Sequence, residues 1–199
     1  SFSNLDAMLD SVDIDVLHIC TPLETHKDLA SPALNRGIHV LVEKPVASTA
    51  EETERLLLLA QNKTVMLCPV HQFAFQRGVF RAQEELETLG DVLRVSFRTH
   101  SAGSEGLQPE AADLIIADIL PHPLSALQKL FPTCLEPPSL FPPLPPLPFS
   151  FPFPFFLCEM GIPLSVITHA RPTRCEMDIA CEGGRIYLNF FHGYAVVER

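Results

Sequence analysis

The sequence predicts an α/β chain, in which a parallel sheet wound with helices is followed by an α+β unit on a mainly antiparallel sheet. Three observations carry this. From residue 14 to residue 68, short apolar runs alternate with helical segments in the order strand, helix, strand, helix, strand, with short links that right-handed crossovers close into a parallel sheet. After Pro69 the period changes: Val92, Arg94, Ser96 and Arg98 alternate with Leu93, Val95, Phe97 and Thr99, the pattern of a half-buried antiparallel strand. Glu182-Gly183-Gly184 then joins two further strand-like runs as a hairpin turn.

Leu5, Met8, Leu9 and Val12 recur at helical spacing, so Asn4 to Asp10 reads as a short helix. Ile14 to Cys20 is the first strand. Thr25 is placed to cap a helix that runs to Asn35 and ends at Gly37, with Pro32 inside it as a bend or an early stop. Ile38 to Val42 is the second strand, apolar enough to be buried on both faces. Thr49-Ala50-Glu51-Glu52 is a capping box that opens a helix to about Gln61. Thr64 to Cys68 is the third strand.

Beyond Pro69, Phe75 to Leu89 reads as a helix with Val79, Phe80, Leu86 and Leu89 apolar, and Ala112 to Leu130 as another. Leu164 to Val197 holds three or four strands. The division expected is 1–69 and 70–199, with the second part interrupted by 131–156. That tract has ten of the nineteen prolines and seven of the fourteen phenylalanines, a density that forbids a ladder or a helix. It suits translated non-coding sequence better than a ligand for a polyproline-binding domain, because its flanks are Phe and Leu instead of polar.

Composition excludes several classes. A formal net charge of −10 and no basic run argue against nucleic acid or an anionic membrane surface as partner. The six cysteines have no C-x-x-C spacing and read as reduced core thiols of a cytoplasmic protein. No His, Cys, Asp and Glu grouping has metal-ligand spacing, and no nucleophile elbow is present. Neither a signal peptide nor a stretch long enough to span a bilayer is found.

The chemistry centres on Val40-Leu41-Val42-Glu43-Lys44-Pro45. The proline ends the ladder, so Lys44 is delivered to the carboxyl end of a buried strand, where open α/β sheets bind ligands. A second constellation is Asp118-Ile119-Leu120-Pro121-His122. Asp and His four apart on a helix share a face, and the carboxylate can orient the imidazole as in a general acid–base pair.

Asp15-Val16-Leu17-His18-Ile19-Cys20-Thr21-Pro22, His26, and Gly37-Ile38-His39-Val40 through Lys44-Pro45 together resemble the Gfo/Idh/MocA family of nicotinamide-dependent oxidoreductases, that of glucose-fructose oxidoreductase and inositol 2-dehydrogenase. The resemblance covers about 1–130 and 161–199 and is strongest at 15–46. It implies the C-terminal half of a Rossmann-type sheet followed by an α+β domain with an open-faced sheet. It also implies NAD or NADP as cofactor, a small-molecule sugar, polyol or cyclic alcohol as substrate, and a homo-oligomer formed through the C-terminal sheet. Lys44, Asp118 and His122 are the catalytic residues it implies, and Cys20, Thr21, Pro22, His26, Glu43, Lys44, Pro45 and His71 lie near the cofactor.

The sequence departs from the family at Leu120, where a glycine usually stands, and Pro121 and Pro123 flank the histidine. His18 and His39 fall inside strands and read as core. The phosphate-binding Gly-x-Gly-x-x-Gly is absent, so the strands present correspond to the later ones of the family, with the glycine loop expected before Ser1. Strand 14–20 is then an open edge. Rival readings are an inactive fragment, an NAD-binding regulator of the same fold, and an NAD-dependent glycosidase.

Overall fold

The computed structural model describes residues 2–101, 115, 118–132, 155–157, 162–167 and 171–199. It divides into two compact units, Ser1–Val70 and His71–Arg199.

The first unit runs α1 (Leu5–Ser11), β1 (Val16–Ile19), a 3-10 turn (Leu23–Thr25), α2 (His26–Asn35), β2 (His39–Val42), α3 (Ala50–Asn62) and β3 (Leu67–Pro69). The three strands are parallel in the order β1-β2-β3, with Val16 opposite His39 and Val40 opposite Leu67. Among the described residues β1 is an edge, and Val16 on it is 44% exposed. Val40 and Val42 are fully buried and pack with Ile19, Ala30, Ala33, Leu34 and Leu56. Each buried valine contributes roughly 1.5–3 kcal/mol of hydrophobic stabilisation.

Helix ends follow local chemistry. Gly37, at φ +79°, closes α2 while its N–H bonds the Leu34 carbonyl and Ile38 N–H bonds that of Ala33. Those two bonds make a Schellman cap, which needs the left-handed conformation that glycine adopts without strain. At the start of α3, the Glu52 N–H donates to Thr49 Oγ1 at 3.1 Å, as the capping box predicts. Thr25, expected as the cap of α2, does not serve as one. Its hydroxyl donates to the Pro22 carbonyl at 2.8 Å, because a 3-10 turn precedes the helix and places Thr25 in a helical conformation already. Pro32 lies within α2 without ending it.

The second unit holds a 3-10 turn (Gln72–Phe75), α4 (Arg77–Leu86), β4 (Val92–His100), α5 (Pro121–Leu130), β5 (Phe155–Leu157), β6 (Ile162–Ile167), β7 (Arg174–Cys181), β8 (Gly184–Asn189) and β9 (Tyr194–Glu198). The sheet order is β5-β6-β4-β7-β8-β9, antiparallel throughout except for β4 beside β6. Phe97, Met177, Ile179, Ile186 and Leu188 form its buried face and pack with Val79 and Ala82 of α4 and Ala126 and Leu127 of α5.

Several elements differ from expectation. The strand expected at 91–99 places Leu93 65% exposed, because a register shift between Val92 and Arg94 moves the alternation by one. The helix expected over 75–89 is a 3-10 turn followed by a shorter α4, and Phe80 is 43% exposed on it. The helix expected over 112–130 breaks: Asp118 and Ile119 are helical, Leu120 is a turn residue, and α5 starts with Pro121 at its first position. Proline lacks an N–H and presets φ, so it starts a helix there and does not continue one.

Phe155 and Phe156, the end of the proline-rich tract, pair with Leu164 and Pro163 in β5, because no proline follows Pro154 until the partner strand. The rest of that tract from 133 to 154 lies outside the described residues. Cys20 and Cys68 are exposed, not core, whereas Cys175 and Cys181 are buried, and all four are free thiols. His18 is exposed on the edge strand, and half-buried His39 accepts the Met66 N–H at Nδ1, 2.9 Å. No helix among the described residues is long and apolar enough to cross a membrane.

Candidate functional site

The sequence places its candidate residues at the carboxyl ends of parallel strands, and the first unit positions them there. β1 ends at Ile19, and Cys20, Thr21 and Pro22 follow as exposed residues. Thr25 spends its proton on Pro22, so the Thr21 hydroxyl is the donor in the 2.6 Å bond between the two threonines. β2 ends at Val42, and the Glu43 N–H reaches back to the Ile19 carbonyl at 2.9 Å while Val42 accepts from the Val70 N–H at 2.8 Å. The sheet therefore holds the Glu43-Lys44-Pro45 turn by its backbone from both sides. All three residues are half-buried, and the Lys44–Pro45 peptide is cis.

His26, the first residue of α2, is 1% exposed. Its Nδ1 lies 2.8 Å from the Pro45 carbonyl and its Nε2 lies 2.8 Å from the Thr21 carbonyl. Sequence reasoning places His26 beside the cofactor; in the structure both ring nitrogens are taken by the chain's own backbone. The structure thus brings Thr21, His26 and Pro45 together.

The remaining candidates lie in the second unit. His71 is its first residue and half-buried, and its Nδ1 is buried without a hydrogen-bond partner among the described residues. Burial lowers its pKa below the ordinary imidazole value. His122 stands in the first turn of α5, half-buried, with its ring stacked on Phe73 at 4.5 Å between centroids and 25° between planes. Phe73 stacks in turn on Phe190 at 5.1 Å. Ser125 donates to the His122 carbonyl at 2.8 Å, tying down a turn in which two prolines supply no N–H.

Asp118 is exposed in the short helical piece ahead of Leu120. The aromatic support of His122 was not legible beforehand: Phe73 shows only as one apolar residue near a histidine, and Phe190 is distant in sequence. Among the described residues no group of three or more His, Cys, Asp and Glu is arranged to hold a metal.

These features define a class first: a parallel nucleotide-binding-type sheet with a Glu-Lys-Pro turn at a strand end, plus an α+β unit carrying an aromatically packed histidine. Residues 1–71 match the model of the oxidoreductase family with an NAD-binding Rossmann fold. An uncharacterised oxidoreductase of Schizosaccharomyces pombe is 29% identical over 89% of this chain and 52% of its own length. An scyllo-inositol 2-dehydrogenase (NADP(+)) of Bacillus subtilis is 34% identical over 47% of this chain and 29% of its own.

Among solved structures, a levoglucosan dehydrogenase in complex with NADH and levoglucosan superposes with a TM-score of 0.71 at 19% identity, over 96% of this chain and 58% of that one. The chain spans about half the length, or less, of these curated relatives. The match to the oxidoreductase family model is confined to residues 1–71, and the chain shares its fold with the solved dehydrogenase.

Proposed function

We propose that the protein carrying this chain is an oxidoreductase moving hydride between a nicotinamide cofactor, NAD or NADP, and a sugar, polyol or cyclic alcohol. One observation carries the reading: the Glu43-Lys44-Pro45 turn sits at the carboxyl end of β2, hydrogen-bonded to the end of β1, in the segment that matches the model of an NAD-binding oxidoreductase family. The scyllo-inositol 2-dehydrogenase and the levoglucosan dehydrogenase that this chain is similar to support the substrate class.

The donor set fits the nicotinamide end of such a cofactor: Thr21 and Pro22 are exposed and Lys44 half-buried, at strand ends of a parallel sheet. Nothing in the sequence has the glycine spacing that holds a pyrophosphate. When bound, the nicotinamide would take up the hydride. Lys44 would hold the substrate's hydroxyl oxygen and steady the negative charge that develops on it. His122 would remove the hydroxyl proton, with Asp118 as its orienting partner. Packing on Phe73 limits rotation of the His122 ring, which suits a base that must meet one oxygen.

In this reading 1–69 is the partial dinucleotide-binding domain and 70–199 the substrate domain, interrupted by 131–156. Self-association uses the exposed face of the second sheet, and the free thiols fit a cytoplasmic setting. The test is kinetic: Lys44→Ala and His122→Ala, made in the full-length protein, each lower turnover by about 10²-fold or more. Normal turnover in both rules out the assignment.

A further inference from the structure

His26 has a geometry that the proposed reaction does not use directly. Its ring is buried at 1% exposure, and both nitrogens lie 2.8 Å from backbone carbonyls on two different loops, Thr21 after β1 and Pro45 after β2. Each of these loops begins at the end of one of two paired strands, and each carries residues expected to meet the cofactor. A carbonyl oxygen only accepts, so the ring engages both loops fully when both its nitrogens carry hydrogen, and one loop when it is neutral. Buried donors and acceptors of this kind are costly to leave unmade, and the segment from Thr21 to Thr25 has no regular strand or α-helical ladder to hold it.

The other constraints on the two loops act elsewhere. The Glu43 N–H to Ile19 carbonyl bond fixes the start of the second loop at the sheet, and the Thr21–Thr25–Pro22 hydroxyl chain folds the first loop upon itself. The two His26 bonds tie the far side of the Lys44 turn, at Pro45, to the loop after β1. The first residue of α2, rigidly packed beside buried Ala30, Ala33 and Leu34, is a firm anchor for that purpose.

We propose that His26 is a positioning residue: it sets the spacing of the two loops and thereby the backbone on which Lys44 stands, without itself touching cofactor or substrate. The inference rests on the nicotinamide reading for its purpose, but its structural core can be tested apart from it. In the 199-residue chain, His26→Phe keeps a ring and removes both ring nitrogens, and His26→Gln keeps a side chain with two N–H groups.

Amide hydrogen exchange at residues 20–24 and 43–47 is expected to rise about tenfold or more in His26→Phe, with β7 and β8 unchanged, and to return towards the parental rate in His26→Gln. NADH titrated into the full-length protein and its same two variants is expected to bind about tenfold more weakly to His26→Phe and near the parental strength to His26→Gln. Unchanged exchange in the two loops of folded His26→Phe, or equal loss in both variants, overturns the proposal. Failure of the full-length parent to bind NADH counts against the nicotinamide reading, while the exchange data still decide the role of His26.

Discussion

Gly78 offers a prediction that can be worked from distances. It stands in the first turn of α4, where the helix crosses the backbone of β9. A Cβ added there falls 2.9 Å from the Tyr194 carbonyl carbon, 3.0 Å from its oxygen and 3.3 Å from the Ala195 nitrogen. Non-bonded carbons pack best at about 3.5–4.0 Å, so the shortfall is about 0.6 Å or more. The obstacle is backbone paired with β8 through Ala195 and Tyr194, so it cannot turn aside as a side chain would. Either the helix backs away from Val79 and Ala82 packing or the strand shifts, which costs about 1–3 kcal/mol.

Alanine recovers at most about 1 kcal/mol of helix propensity, and less near a helix end. The clash wins, and Gly78→Ala loses about 1–2 kcal/mol. Thermal melts by circular dichroism would show this as a drop of roughly 2–4 °C per kcal/mol for a chain of this length. Gly193→Ala is the control, since its φ is +67° with nothing within 4 Å, leaving only a conformational cost of about 1 kcal/mol. A Gly78→Ala protein as stable as the parent would refute the close approach of α4 to β9.

Two further outcomes follow from charge. Burial lowers the pKa of His71 and, with help from Arg98 and Arg174, that of His100 below the unfolded value near 6.5. Between the folded and unfolded pKa values the unfolded chain binds more protons, so their contribution is present above about pH 6.5 and lost as pH falls through the folded pKa values. Urea midpoints at pH 7.5 and 5.5 should differ less in His71→Asn than in the parent, and equal differences would argue against a buried neutral His71. The exposed face of the second sheet carries Arg94, Arg98 and Arg185 with Glu176 and Asp178, both signs on one surface. Sedimentation should show a self-associated chain that Arg98→Glu weakens by reversing a charge on that face, and a monomeric parent would contradict that interface.

The sequence was most legible where chemistry is local. Thr49 and Glu52 form the predicted cap, Gly37 ends α2, and Glu182-Gly183 turns the chain between β7 and β8, because each depends on a few neighbouring residues. The parallel order of β1, β2 and β3 was legible from alternation and link length. Leu93 was not, since a bulge is decided by the partner strand, which lies far away in sequence. Phe80 and Cys68 look like core residues by type, yet their exposure is set by which faces the helix and the strand turn outward.

At the site, the delivery of Lys44 to a strand end could be read directly. The engagement of His26 by Thr21 and Pro45 could not, because two carbonyls brought together by a parallel sheet leave no mark in side-chain pattern. Nor could the stacking of Phe73 and Phe190 behind His122.

The central claim is that Lys44 and His122 serve one hydride transfer in the protein that carries this chain. The most direct measurement follows formation of reduced nicotinamide by the full-length protein with NAD or NADP and scyllo-inositol, myo-inositol or levoglucosan, beside its Lys44→Ala and His122→Ala variants. The account predicts turnover on at least one of these alcohols and a loss of about 10²-fold or more in each variant, with folding preserved. Turnover that survives both substitutions, or none with any of these alcohols and either cofactor, would contradict it.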